Sequence, residues 1–278
     1  MNKIGALINL KRDVDIFDQM EKLKSIGCEC CQLCIWDMGL YTDENAEKII
    51  SAASKYGIEI STVWAGWSGP SVWNFTEGPS TLGIVPEAYR MKRTEELIRG
   101  AEFAAKLGVK RVATHAGFLP ENMNDPKYAD VLATLKYITS KFAEHGVSFL
   151  FETGQETPTT LLRFIEEIGR ENVGINMDTA NLLLYGKGNS ADAITVFGKY
   201  VRDTHIKDGF YPTGGKKLGE QVKVGEGLAN IPEVIRRLRA VGYEGNYIIE
   251  REITGEQQAK DIKETILLLK NILNNKEI

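Results

Sequence analysis

The 278-residue sequence has no apolar run near the roughly 18 residues that a membrane span takes. It has no basic excess: 34 Lys and Arg stand against 38 Asp and Glu, for a net charge of −4. A nonspecific nucleic-acid binder would carry a basic face, so that class is disfavoured. Cysteine is confined to one stretch, Cys28, Cys30, Cys31 and Cys34. Cys31 and Cys34 form a CxxC, but no second pair exists to complete a zinc site. The stretch is apolar and bounded by Gly27 and Asp37, and alternation in a strand would send those two cysteines to opposite faces. We read all four as small core side chains and expect no disulfide framework. No secretory signal is apparent, because the apolar run at 4–10 leads into Lys11-Arg12-Asp13 rather than small residues. The expectation is a cytoplasmic protein with no membrane and no nucleic-acid partner.

What is present is a regular alternation. Short β-like runs occur at 4–10, 29–36, 58–64, 111–115, 148–152, 173–178, 201–205 and 247–250. Several are apolar on both faces, as strands of a helix-covered parallel sheet should be. Amphipathic patterns fill the intervals at 13–26, 43–56, 86–107, 126–145, 158–168, 191–200, 232–241 and 256–273. Thr42 and Thr157 suit N-caps, Pro158 suits a first helical position, and Gly27, Gly57, Gly108 and Gly146 follow helix ends. Strand–helix repetition predicts parallel strands joined by crossovers. Eight units in this length predict one α/β domain over residues 1–278, a single (β/α)₈ TIM barrel, for which about 250 residues is typical. An open doubly wound sheet is the alternative. Its dinucleotide-binding form lacks support, since no GxGxxG follows the first strand. Two connections are long, 65–85 and 207–230, and long loops often bind ligands.

The last four strands each end in a metal-ligand residue type. Strand five ends in Glu152, strand six in Asp178, strand seven in His205 and strand eight in Glu250. In a barrel the C-terminal strand ends converge on one face, and neighbouring strands lie about 4.8 Å apart. Four successive strands can therefore surround one ion. Lone charges are costly to bury, yet Glu152 and Glu250 directly follow apolar strands. Three carboxylates and one imidazole favour a hard divalent ion, Mn²⁺ or Mg²⁺, with Co²⁺ or Zn²⁺ able to substitute.

Glu-Thr-Gly-Gln-Glu at 152–156, Asp-Thr-Ala-Asn at 178–181, Thr-His-Ile-Lys-Asp at 204–208, Gly-Glu-Gly at 225–227 and Ile-Ile-Glu-Arg-Glu at 248–252 carry a family resemblance. The chain resembles the xylose-isomerase-like TIM-barrel superfamily, and most closely its sugar phosphate isomerase/epimerase branch. The resemblance covers nearly the whole chain. It implies a barrel enzyme, often a homo-oligomer, acting on a small-molecule sugar or sugar phosphate. It implies that Glu152, Asp178, His205 and Glu250 bind one divalent metal, commonly Mn²⁺, and that Glu152 and Glu250 exchange the substrate proton. Two features depart from the related ketose epimerases. Their substrate-binding His after the strand-six Asp is replaced by Thr179-Ala180-Asn181, and their Arg after strand seven by Lys207, Lys216 and Lys217. The identity of the sugar does not carry over.

The chemistry so implied is proton transfer next to a carbonyl, as epimerisation or aldose–ketose isomerisation. His115, Lys207, Glu156 and Trp64 are candidate substrate contacts, with Gln155, Trp36 and Trp67 near them. For each there is a bland reading: core histidine, solvated lysine, helix cap, core aromatic. His145, before Gly146, suits a helix C-terminus. Glu252 shares the strand parity of Glu250, so a two-residue shift would exchange them. The main alternative function is a metal-dependent lyase or dehydratase acting on a keto-sugar or oxidised glycoside. A non-catalytic sugar-binding barrel is a further alternative. A phosphodiesterase with a trinuclear zinc site would need more than the three histidines present.

Overall fold

The computed structural model describes residues 2–275. Eight parallel strands close into a barrel. They are β1 (Ile4–Leu10), β2 (Cys30–Ile35), β3 (Glu59–Ala65), β4 (Arg111–Thr114), β5 (Ser148–Glu152), β6 (Val173–Asp178), β7 (Val201–Ile206) and β8 (Tyr247–Ile249). β8 pairs back onto β1 and completes the ring. The covering helices are α1 (Ile16–Ser25), α2 (Asp43–Tyr56), α3 (Glu87–Lys106), α4 (Pro126–Glu144), α5 (Pro158–Ile168), α6 (Ser190–Phe197), α7 (Ile231–Ala240) and α8 (Glu256–Asn274). No described helix is long and apolar enough to cross a membrane.

The local signals act as anticipated. Thr42 and Thr157 accept hydrogen bonds from Asn45 N and Thr160 N, and Gly57 ends its helix in the left-handed conformation. His145 caps α4. Some bounds shift. α1 starts after the Asp15 cap rather than at Asp13, and the helix predicted over 191–200 ends at Phe197 in a 3₁₀ turn. The last strand stops at Ile249, so Glu250 is the first residue beyond it, still tied to the ladder by its N–H to Ile206 O at 3.1 Å. A single turn, Asn181–Leu184, follows β6, which no sequence period announced.

Strand parity divides the barrel wall. Phe149 and Phe151 of β5, Ile175 and Met177 of β6, and Tyr247 and Ile249 of β8 belong to the main core shared with the helices. Leu150 joins a second cluster with Cys34, Trp64 and Trp67. The cysteines are all free and buried, and Cys31 and Cys34 fall in different clusters, on opposite faces of β2. One carboxylate sits deep inside the barrel, Asp203, fully buried on β7. A register irregularity between β2 and β3 at Ser61 lets consecutive hydroxyls of Ser61 and Thr62 both donate to it, each at 2.7 Å.

The two long connections form a roof over the C-terminal mouth. The segment 66–85 contains one helical turn, Gly78–Thr81, and is fastened from below by Arg93 of α3. The guanidinium is fully buried and donates to the carbonyls of Ser68, Pro70, Thr81 and Gly83 at 2.6–3.2 Å. The segment after β7 carries a small antiparallel ribbon, Asp208–Gly209 with Gln221–Val222. Asp208 is the knot of that loop. It accepts the N–H groups of Gly209, Gly225, Gly227 and Ala229 at 2.9–3.0 Å, which explains the Gly-Glu-Gly motif. The two loops touch through Phe75 N and Lys216 O at 3.3 Å.

Gly83 seats the first loop on the barrel. Its φ is +66°, and a Cβ there would lie 2.1 Å from the Ala116 backbone. Gly83→Ala combines left-handed strain with a backbone clash. It is expected to lower unfolding free energy by about 1–3 kcal/mol, measured by urea denaturation.

Candidate metal centre

The strand-end residues meet at one place. Glu152, Asp178, His205 and Glu250 each offer one ligand atom, and these atoms all lie within 4.8 Å of one another. Register brings this about. Asp178 pairs with His205 across β6 and β7, Ile248 pairs with His205 across β8 and β7, and Glu250 follows two residues on. The threonine after each of the first two ligands fastens its strand end to the next strand. Thr153 Oγ1 accepts from Asp178 N at 3.0 Å, and Thr179 Oγ1 accepts from Lys207 N at 2.9 Å. The motif threonines are thus rivets between neighbouring ligands.

Above the cluster opens a cavity of about 470 Å³. Glu152 and Glu250 line it together with His115, Lys207, Asn181, Trp36, Trp64 and Trp73, while Asp178 and His205 lie fully buried behind them. The four tryptophans of the chain form one group. Trp36 has Trp64, Trp67 and Trp73 at centroid distances of 5.2, 5.1 and 6.5 Å, and Trp73 reaches His115 at 5.2 Å. Trp64 also donates its indole N–H to Glu152 Oε2.

The polar contacts hold each donor in place. Asp178 Oδ1 accepts the N–H groups of Ala180 and Asn181, both at 2.7 Å. Its other oxygen, Oδ2, is buried without a hydrogen-bond partner and faces His205 Nδ1 at 4.0 Å and Lys207 Nζ at 3.7 Å. His205 Nδ1 lies 3.2 Å from Glu152 Oε1 and 3.3 Å from Glu250 Oε2. Lys207 Nζ reaches Glu250 at 3.2 Å, Glu252 at 2.9 Å and Asn181 Oδ1 at 3.3 Å. An orphaned buried carboxylate oxygen beside two more carboxylates and an imidazole is a donor set that fits a hard divalent cation.

Electrostatics points the same way. Burial opposes charge on His205, but Glu152 and Glu250 outweigh it and hold the imidazole well above its usual range. Lys207 is likewise held up against burial by Glu250, Glu252 and Asp178. Burial is also the largest influence on Glu250, yet Lys207 and His205 bring its carboxyl well below the usual range. Glu152 is lowered against burial by His205 and His115. Asp178 is left as the odd carboxyl, pushed well up by burial despite Lys207. Burial pulls His115 down, leaving a neutral ring with Nε2 3.5 Å from Glu152 Oε1.

Of the residues singled out in the sequence, the structure brings Glu152, Asp178, His205, Glu250, His115, Lys207 and Trp64 to one site. Glu156 stands apart. It lies within the short connection after β5, is buried and does not line the cavity. Glu252 lines the cavity and pairs with Lys207, outside the four-ligand cluster. Sequence reasoning missed Gln32, Trp73 and the inward role of Asn181. A polar Gln inside an otherwise apolar β2 was the one available signal; Trp73 lies in an aperiodic loop.

Burial raises the Glu156 carboxyl to about 8. The folded state therefore keeps a proton that the unfolded chain, with an ordinary glutamate near 4.5, releases. This stabilisation is complete below about pH 4.5 and is lost as pH rises through 8. Thermal melts of wild type and Glu156→Gln should diverge with rising pH, the variant becoming the more stable near pH 8.

A family model described as a xylose isomerase-like TIM barrel matches residues 20–272. Among solved structures, a xylose isomerase domain protein from Planctomyces limnophilus is 30% identical, with a TM-score of 0.89 over 96% of both chains. A 3-keto-D-glucoside 4-epimerase from E. coli is 20% identical, with a TM-score of 0.71 over 98% of this chain and all of that one, a likeness of fold. An inosose dehydratase of Geobacillus thermodenitrificans is 27% identical over 129 residues, 40% of this chain. The matches span 64% of one curated relative and 42% of this dehydratase. With a matching family model across most of its length and a close barrel likeness, this chain belongs to the xylose isomerase-like TIM-barrel family.

Proposed function

We propose that the barrel is a divalent-metal-dependent isomerase or epimerase that moves a proton next to the carbonyl of a sugar or sugar phosphate. The observation that carries this reading is the convergence of Glu152, Asp178, His205 and Glu250 within 4.8 Å at the base of the cavity. These four residues would hold the ion, for which Mn²⁺ is our choice. When bound, it would polarise the substrate carbonyl and make the neighbouring C–H more acidic.

The protein's own groups supply the rest. Glu152 and Glu250 face the cavity from strands separated by β6 and β7, so they approach one substrate from two sides. One carboxylate takes the proton, and the C–H electron pair passes toward the carbonyl oxygen. The other, carrying a proton, returns it to the opposite face of the same carbon, which inverts that centre. Return to the adjacent carbon would interconvert ketose and aldose. Lys207 and Asn181, which line the cavity, would hold substrate oxygens, and the Trp36, Trp64 and Trp73 wall would cover its apolar face and exclude water. His115 would donate or accept a hydrogen bond at a substrate hydroxyl. Glu156 receives no direct role here, since it lies outside the cavity wall.

A second reading has a specific observation behind it, the 27% identity to an inosose dehydratase. One carboxylate would remove the proton, the C–H electron pair would form a C=C bond, and the hydroxyl on the next carbon would leave as water after taking a proton from the other, protonated carboxyl.

The test is deuterium exchange. Protein with Mn²⁺ is incubated in D₂O with free and phosphorylated ketoses, and solvent deuterium is followed by NMR. Incorporation at C3 is expected and should fall by roughly 10²–10⁴-fold in Glu152→Gln. Incorporation at C1 would indicate aldose–ketose isomerisation, and a dehydrated product would favour the second reading. No exchange with any sugar while metal is bound would defeat the isomerase proposal.

Metal uptake should depend on pH. An ion needs His205 and Asp178 without their protons, and both hold protons to higher pH than usual in the metal-free site. Mn²⁺ affinity is therefore expected to rise with pH, with proton release visible by calorimetry in buffers of different ionisation enthalpy.

A further inference from the structure

Beneath the cluster, a chain of amides crosses the barrel interior from β2 to β6. Gln32, Asn176 and His205 are each fully buried. His205 Nε2 lies 2.8 Å from Gln32 Oε1, and Gln32 Nε2 donates to Asn176 Oδ1 at 2.9 Å. The other ring nitrogen, Nδ1, is the one that faces Glu152 and Glu250. Gln32 interrupts a strand whose neighbours Cys31, Leu33, Cys34 and Ile35 are apolar, so packing alone does not account for it.

The two nitrogens of a neutral imidazole exchange roles. When one offers its lone pair to an ion, the hydrogen resides on the other. Here ligation through Nδ1 requires the hydrogen on Nε2, and that hydrogen needs an acceptor where no solvent reaches. A carbonyl oxygen can only accept, so Gln32 Oε1 admits Nε2–H and excludes the opposite tautomer. If the amide turned over, its NH₂ would meet Nε2, force the hydrogen onto Nδ1 and block the ligand atom. Asn176 Oδ1 accepts from the NH₂ end of the same amide and supports the productive direction.

We infer that Gln32 is a positioning residue for the metal centre: it keeps the His205 hydrogen on Nε2 and so reserves Nδ1 for the ion, with Asn176 steadying the Gln32 amide. This rests on the metal reading of the cluster.

The experiment titrates Mn²⁺ by EPR into wild type, Gln32→Met, Gln32→Glu and Asn176→Leu, with folding checked by circular dichroism. In parallel, ¹⁵N-histidine NMR of the metal-free proteins, at a pH where the His205 ring is neutral, reads its tautomer. Gln32→Met keeps the length and removes the acceptor; it is expected to bind Mn²⁺ about 10–100-fold more weakly and to lose the single Nε2–H form. Gln32→Glu keeps an acceptor and is expected to retain both affinity and tautomer, a rescue that general loss of packing would not give. Wild-type affinity and an intact Nε2–H signal in Gln32→Met would overturn the inference while leaving the metal site standing. Should Gln32→Met not fold, Asn176→Leu carries the test: it frees the amide to turn, so weaker Mn²⁺ binding with a mixed tautomer supports the inference and unchanged binding overturns it. A wild type that takes up no Mn²⁺ removes the metal reading and this inference together.

Discussion

Three carboxylates cannot share a few ångströms of protein interior as three negative charges without cations beside them. That constraint organises the whole C-terminal mouth of this barrel. Glu152, Asp178 and Glu250 are accompanied by His205 and Lys207, and Asp178 is the carboxyl that takes up the remaining strain by holding its proton. A divalent cation would replace those protons and relieve the crowding. The site is therefore compact, with its opposite charges balanced within a few ångströms.

The barrel converts sequence spacing into this arrangement through parity and register. Glu152, Asp178, His205 and Glu250 each occupy an inward position within one residue of a strand end, while their neighbours Phe151, Met177, Ile206 and Ile249 belong to the core shared with the helices. Thr153 and Thr179 then lock successive strand ends to each other. Deeper in the interior, Asp203 repeats the theme on a smaller scale. Its carboxyl is satisfied by two hydroxyls and the Thr204 N–H, with the irregularity at Ser61 providing the reach.

Much of this was legible in the chain. Eight strands and eight principal helices follow from periodicity, caps and glycines, because each is a local signal that the tertiary fold does not contradict. The four-residue cluster was legible as a set, because four successive strands each end in a ligand residue type and lone charges are costly to bury. Lys207 was legible too, since it lies two residues after His205 and so shares its strand parity, and its Nζ does turn inward. What was not legible depends on contacts far apart in sequence. Gln32 meets His205 across 173 residues, and Trp73 reaches His115 from a loop with no period. Glu156 shows the converse limit: nearness in sequence to Glu152 did not place it on the cavity wall, because the chain turns after the strand and buries it elsewhere.

The knot at Asp208 separates two parts of one long connection. Four backbone N–H groups converge on a single carboxylate, next in sequence to Lys207. The stretch between Tyr211 and Lys217 is largely exposed and meets the other loop through Lys216 O. The connection is thus built as a fixed hinge-plate with a replaceable tip. Length and composition can change at the tip while Lys207 beneath it stays in register, so the variable part of the roof is mechanically separate from the cluster at the strand ends.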